Sequence, residues 1–110
     1  MQHIDENMMN TQLRELKPFI NDKGQLTSYP AKYKKKLMPL WYLADKIDMD
    51  REYSEPEINS LINSLHTFGD QATLRRELIN KRLLFRSTDC SRYWAEENDD
   101  TFEAFMQRFI

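Results

Sequence analysis

The stretch LHTFGDQATLRRELI, residues 65–79, restricts the fold more than any other part of the chain. Gly69 is one of only two glycines in 110 residues, and it stands between two apolar-periodic segments. Glycine takes the left-handed backbone at no steric cost, so this is where a chain can double back. Upstream, Ile58, Leu61, Ile62 and Leu65 recur at i, i+3, i+4 and i+7, which predicts a helix over 55–65. Ser54 and Glu57 form a capping box, and Pro56 falls in the first turn, where its missing N–H is harmless. Downstream, Asp70 is placed to cap a helix over 71–82. On a wheel at about 100° per residue, Leu74, Leu78, Ile79 and Ala72 share an arc that also contains Arg75. Thr73, Arg76, Glu77 and Asn80 take the opposite side. The two adjacent arginines therefore differ: Arg75 lies along the core and pairs with an acid, whereas Arg76 faces outward.

The remaining elements follow from the same patterns. Residues 4–16 read as an amphipathic helix carrying Ile4, Met8 or Met9, Leu13 and Leu16, ended by Pro18. FINDKGQLT reads as two extended pieces around a turn at Asp22, Lys23 and Gly24. Tyr33, Leu37, Leu40, Ala44 and Ile47 form a stripe down one face of a helix over 31–47. Pro39 interrupts that helix, which either kinks there or becomes regular only near Lys36. Residues 51–53 are a short extended link. Residues 85–88 and 91–94 flank Asp89-Cys90 as a tight hairpin, with Cys90 under strain where glycine is usual. In the tail, Asp100 and Glu103 make a second capping pair ahead of an apolar stripe of Phe102, Phe105, Met106 and Phe109.

Helix, short strand, helix, glycine corner, helix and hairpin is the order of a winged helix, whose second and third helices form the helix-turn-helix and whose hairpin is the wing. The expected fold class is mostly α with a small β-hairpin: one domain over 1–110, with an N-terminal helix in 1–15, a winged-helix core in 16–94 and a C-terminal amphipathic helix in 95–110. A winged helix that binds double-stranded DNA presents its third helix and wing. The candidates there are Gln71, Thr73, Arg76 and Asn80, with Arg86 and Arg92 on the wing and Lys34, Lys35 and Lys36 as phosphate contacts. The same residues also suit an ordinary solvated surface, and Glu77 in the middle of the face would repel phosphate. Ile4, Met8, Phe102, Phe105 and Phe109 are candidates for a homodimer contact through end helices. The competing reading folds them back onto their own chain.

The segments KPFINDKGQLTSYP, KYKKKLMPLWYLADKI, REYSEPEINSLI, HTFGDQATLRRELINKRLLFRS and SRYW also carry a family resemblance. Over residues 16–94 the chain resembles the prokaryotic domain-of-unknown-function family 2087. The resemblance implies a winged-helix-like fold and a place near transcriptional control, since the family occurs alone or attached to bacterial transcription-regulator domains. It brings no catalytic or binding residues. The chain departs from the family pattern at Pro39 and Cys90, where an aliphatic residue and glycine are usual.

Composition removes other classes. No metal-ligand spacing, no nucleophile–base arrangement and no glycine-rich phosphate loop is present, so neither an enzyme nor a cofactor is expected. His66 reads as a capping or packing residue. A single cysteine, no secretion signal and no apolar run near the roughly 20 residues of a membrane span lead to an expected soluble, cytoplasmic domain. The net charge of −2 is uneven: residues 31–94 hold twelve basic side chains against nine acidic, and residues 95–110 hold one against five. Phosphate binding depends on local basic clusters, so this balance weakens a DNA reading without removing it.

Overall fold

Each α-helix among the described residues carries an apolar stripe that is covered by the rest of the fold. The computed structural model describes residues 16–31, 33–96 and 101–109. Helix α1 (Tyr33–Ala44) buries Leu37, Leu40, Trp41 and Leu43. It is already regular upstream of Lys36, so Pro39 lies inside it, buried, at the cost of one backbone hydrogen bond. After β1 (Glu52–Tyr53) comes α2 (Glu55–Ser64), whose capping box is complete. The Glu57 amide donates to Ser54 Oγ at 3.2 Å, and the Ser54 amide donates to Glu57 Oε1 at 2.8 Å. Those bonds, with Arg51 beside them, hold the Glu57 carboxyl below its usual range. Helix α3 (Gln71–Asn80) then packs across α2 on Leu74 and Leu78, both fully buried. Strands β2 (Phe85–Arg86) and β3 (Tyr93–Trp94) follow, and α4 (Phe102–Phe109) ends the described chain.

The three strands form one antiparallel sheet in the order β1-β3-β2, so β1 joins the hairpin on the β3 side. Phe85 and Glu52 both pair with Trp94, and Arg86 and Tyr53 both pair with Tyr93. This is a mostly α protein with a small three-stranded sheet, in the element order expected of a winged helix. The hairpin is centred on Asp89-Cys90 as expected, and Cys90 is left-handed, at φ +62°.

The corner between α2 and α3 is locked from two sides. Gly69 has φ +65°, the conformation its position demands. The His66 ring, buried, sets Nδ1 against the Ile62 carbonyl at 2.7 Å and accepts the Asp70 amide at Nε2 at 3.0 Å. One imidazole thus joins the end of one helix to the start of the next. Asp70 stands at the N-cap position without a side-chain cap bond, a correction to the expected capping role: the histidine already fixes its backbone. The N-terminal arm supplies the second side. Leu26, fully buried, donates its amide to the Leu65 carbonyl at 2.8 Å and accepts from the Thr67 amide at 3.0 Å. The expected turn before it is present, with Ile20 bridged to Leu26 and Gly24 at φ +77°.

Helix α4 folds onto its own chain. Phe105 and Phe102 lie 4.7 and 5.7 Å from Trp41, ring centre to ring centre, and both are buried. Phe109 is half-buried against Phe105. Of the two readings of this stripe, Phe102 and Phe105 follow the fold-back one, packed on Trp41 inside their own chain. Ile4 and Met8, with residues 4–15 of the helix expected over 4–16, lie outside the described residues. So does Asp100; it is Thr101 whose Oγ1 accepts the Ala104 amide at 3.1 Å and caps α4.

Two substitutions check these contacts. Phe105→Ala empties a buried aromatic site and should destabilise the chain by about 3–5 kcal/mol in urea or thermal unfolding; a loss under about 1 kcal/mol would detach α4 from Trp41. His66→Ala removes the group that links the Ile62 carbonyl to the Asp70 amide and should cost about 2 kcal/mol or more. An unchanged midpoint would mean the corner stands without the ring.

Candidate nucleic-acid interface

The rotation of α3 about its axis decides which side chains can meet a partner. Leu74 and Leu78 fix that rotation by their burial, and Arg75 tethers it. Arg75 Nη1 donates to Asn59 Oδ1 at 2.6 Å and stands 3.6 Å from Glu55 Oε1, with its guanidinium 5.8 Å from the centre of the Tyr93 ring. The residue is half-buried and joins α2, α3 and the sheet. Its neighbour Arg76 is exposed and has no ion pair or hydrogen-bond partner among the described residues. The expected division of labour between the two arginines is present.

The exposed row of α3 is Ala72, Arg76 and Asn80, one residue per turn. Ala72 was expected to face inward and does not. The buried arc is centred on the two large leucines, and a methyl group is too small to turn the helix toward itself. Thr73 is half-buried at the edge of the row, and Gln71 is half-buried with its Oε1 enclosed and unpartnered. Gln71 is therefore corrected from an outward-facing contact to a residue whose amide oxygen points into the protein.

Glu77 also differs from expectation. It leans back toward Lys81, whose ammonium stands 3.4 Å from its Oε2 and 5.4 Å from the centre of the Phe109 ring. Lys81 is itself buried, so the carboxylate expected in the middle of the outer face is drawn off it and neutralised. Nearby, burial, and secondarily the Glu77 charge, pushes the Tyr29 hydroxyl above its ordinary range. Lys36 is half-buried with its ammonium 5.3 Å from the centre of the Tyr29 ring. The side chains of Lys34 and Lys35 lie outside the described ones.

On the hairpin, Arg86 and Arg92 are exposed, and each has local company. Arg86 Nη1 donates to Cys90 Sγ at 2.8 Å, and Arg92 stands 3.9 Å from Glu52 across the sheet. At the tip, Asp89 Oδ1 accepts from the hydroxyls of Ser87 and Ser91, each at 2.7 Å, and from the Ser91 amide at 3.0 Å. These bonds, those from Ser91 first, pull the Asp89 carboxyl down to about 2. Between the end of α3 and β2 runs an open groove of about 560 Å³, lined by Ile79, Asn80, Arg82, Phe85, Arg86 and Thr88 among others. The structure thus brings Asn80 and Arg86 onto one groove, with Arg76 one helical turn above Asn80. Lys36 stands beside Tyr29 and does not line it.

Sequence reasoning missed Arg82. It is exposed, lines that groove, and occupies the left-handed region at φ +59°. The missed signal was its place one residue past the last helical turn, where the backbone reverses and a side chain swings away from the helix axis.

Residues 25–95 match the family described as uncharacterised proteins conserved in bacteria, DUF2087, and the chain belongs to that family. The match begins later than residue 16, so the arm before Gln25 lies outside it, as does α4. No curated protein and no solved structure is significantly similar to the chain. Among the described residues, no helix is long and apolar enough to cross a membrane, and no group of three or more His, Cys, Asp or Glu could hold a metal ion.

The Asp89 turn gives a pH-dependent outcome. Because the folded carboxyl is depressed from 3.8 to about 2, its contribution to the hairpin is complete above the unfolded value and is lost as pH falls through about 2. The Ser91 amide resonance should titrate with its midpoint near 2. A midpoint near 3.8 would show the carboxyl to be free.

Proposed function

We propose that this domain binds double-stranded DNA as a winged helix, with α3 as the recognition helix and the β2–β3 hairpin resting on the backbone. The observation that carries the reading is Arg76: an exposed, unpartnered arginine at the centre of the free face of α3, flanked by Asn80. Arginine and asparagine can each form paired hydrogen bonds to base edges in the major groove. The withdrawal of Glu77 onto Lys81 leaves that face without a facing carboxylate. Arg86 and Arg92 are placed to meet phosphates, which position a protein without specifying sequence. The role is binding, not catalysis. A part in transcriptional control rests on the family resemblance alone. Because Phe102 and Phe105 are enclosed in their own chain, the proposal takes a single copy as the binding unit.

A second reading, a protein-interaction module of the same shape, is favoured by one observation. Arg86 and Arg92 already have partners in Cys90 and Glu52, in a chain of net charge −2. Titration against duplex DNA at two salt concentrations separates the two. DNA binding should weaken steeply with salt, and Arg76→Ala should weaken it further by about 1–3 kcal/mol. Absence of binding at low salt would turn the assignment to the interaction module.

A further inference from the structure

Arg82 occupies a backbone position that asks for a different residue. It stands just past α3, where the Leu83 amide reaches the Leu78 carbonyl at 2.9 Å and the Arg82 amide reaches that of Ile79 at 3.0 Å. This is the double bond pattern of a helix ended by a left-handed residue, and glycine is the residue that fits it freely. The cap is made by backbone atoms and by the burial of Leu78 and Leu83, so it needs nothing from the arginine side chain. That side chain does no packing work either: it is exposed and has no partner among the described residues. Backbone strain kept where the side chain contributes nothing to the fold points to a use outside it.

We infer that Arg82 binds a backbone phosphate of the duplex, holding it in the groove between α3 and β2 opposite Arg86. The inference rests on the DNA-binding reading and adds to it a residue and a ligand group. The chemistry favours phosphate over a base edge. Arg82 lies beyond the last residue of α3, and its planar fork matches a phosphodiester's paired oxygens. Arg86, on the same groove, directs one guanidinium donor to Cys90 Sγ, whereas Arg82 has no partner among the described residues. The groove is open along its length and does not surround a ligand, which suits a strand passing through it more than a free anion.

The test uses the full chain, its Arg82→Gly and Arg82→Lys variants, and two unrelated duplexes, followed by anisotropy over a salt series and by thermal unfolding. Arg82→Gly should raise Tm by about 2–6 °C, because the strain is relieved. It should also weaken both duplexes equally, by about tenfold. The slope of log affinity against log salt should fall by about 0.9, the share of one phosphate. Arg82→Lys should keep the slope. An unchanged slope and affinity in Arg82→Gly overturns the inference while leaving the DNA reading intact, and so does a lowered Tm. Loss confined to one duplex would make Arg82 a base reader and overturn the phosphate assignment. Displacement of wild-type protein from duplex by inorganic phosphate at matched ionic strength, absent in Arg82→Gly, would mark a free-anion site and also overturn it. If the wild-type chain binds neither duplex at low salt, the DNA reading itself fails and the inference falls with it.

Discussion

The geometry of the domain depends on one imidazole. His66, itself buried, spans the gap between two helices, its Nδ1 against the Ile62 carbonyl that also accepts the Leu65 amide and its Nε2 accepting the Asp70 amide. A typical internal hydrogen bond contributes only about 1 kcal/mol net, but a buried polar group left without a partner costs about 1–3 kcal/mol. The ring therefore acts less as a source of stability than as a constraint on angle. If α3 leaves the corner in another direction, the Asp70 amide loses its acceptor on the ring. Leu26 adds the same constraint from the opposite side, through two backbone bonds that only one position of the corner satisfies. From that angle follows the rest: the seating of Leu74 and Leu78, the reach of Arg75 to Asn59, and the outward direction of Arg76.

The parts of this arrangement readable in the sequence are those with local causes. A serine and a glutamate three residues apart suffice for the cap of α2, and a glycine between two stripes suffices for the corner. Two consecutive arginines on a 3.6-residue helix must point about 100° apart, so their different roles were open to inspection as well. What escaped was decided by distant residues. Lys81 is buried and draws Glu77 inward because Phe109, 28 positions later, lies beneath its ammonium. The fate of the C-terminal phenylalanines was decided by Trp41. The Thr101 hydroxyl caps α4, a role that spacing alone did not assign to it. Arg82 was missed because the helix was expected to run to residue 82, whereas it ends at Asn80 and Arg82 takes the left-handed turn beyond it.

Helix α4 lies outside the family match and yet completes the core. It covers Trp41, whose indole N–H has no acceptor beneath that aromatic roof. A lone buried donor of this kind carries a cost that the dense ring contacts around it must offset. The family-matched part of this chain thus has an apolar face at Trp41 that residues 102–109 close.

The hairpin has a different standing from the helices. Strand β2 is only two residues long, with a left-handed arginine shortly before it and a left-handed cysteine shortly after. Its far end is held mainly by the serine hydroxyls around Asp89. Each strained residue lowers the threshold for local opening, whereas α2 and α3 are sealed by leucine and isoleucine. Parting β2 from β3 breaks a two-residue pairing and the Phe85–Trp94 stack, far less than unfolding the helical core requires. Amide hydrogen exchange would separate them in time, and any surface the hairpin meets encounters an arm that can bend while the body behind it stays folded.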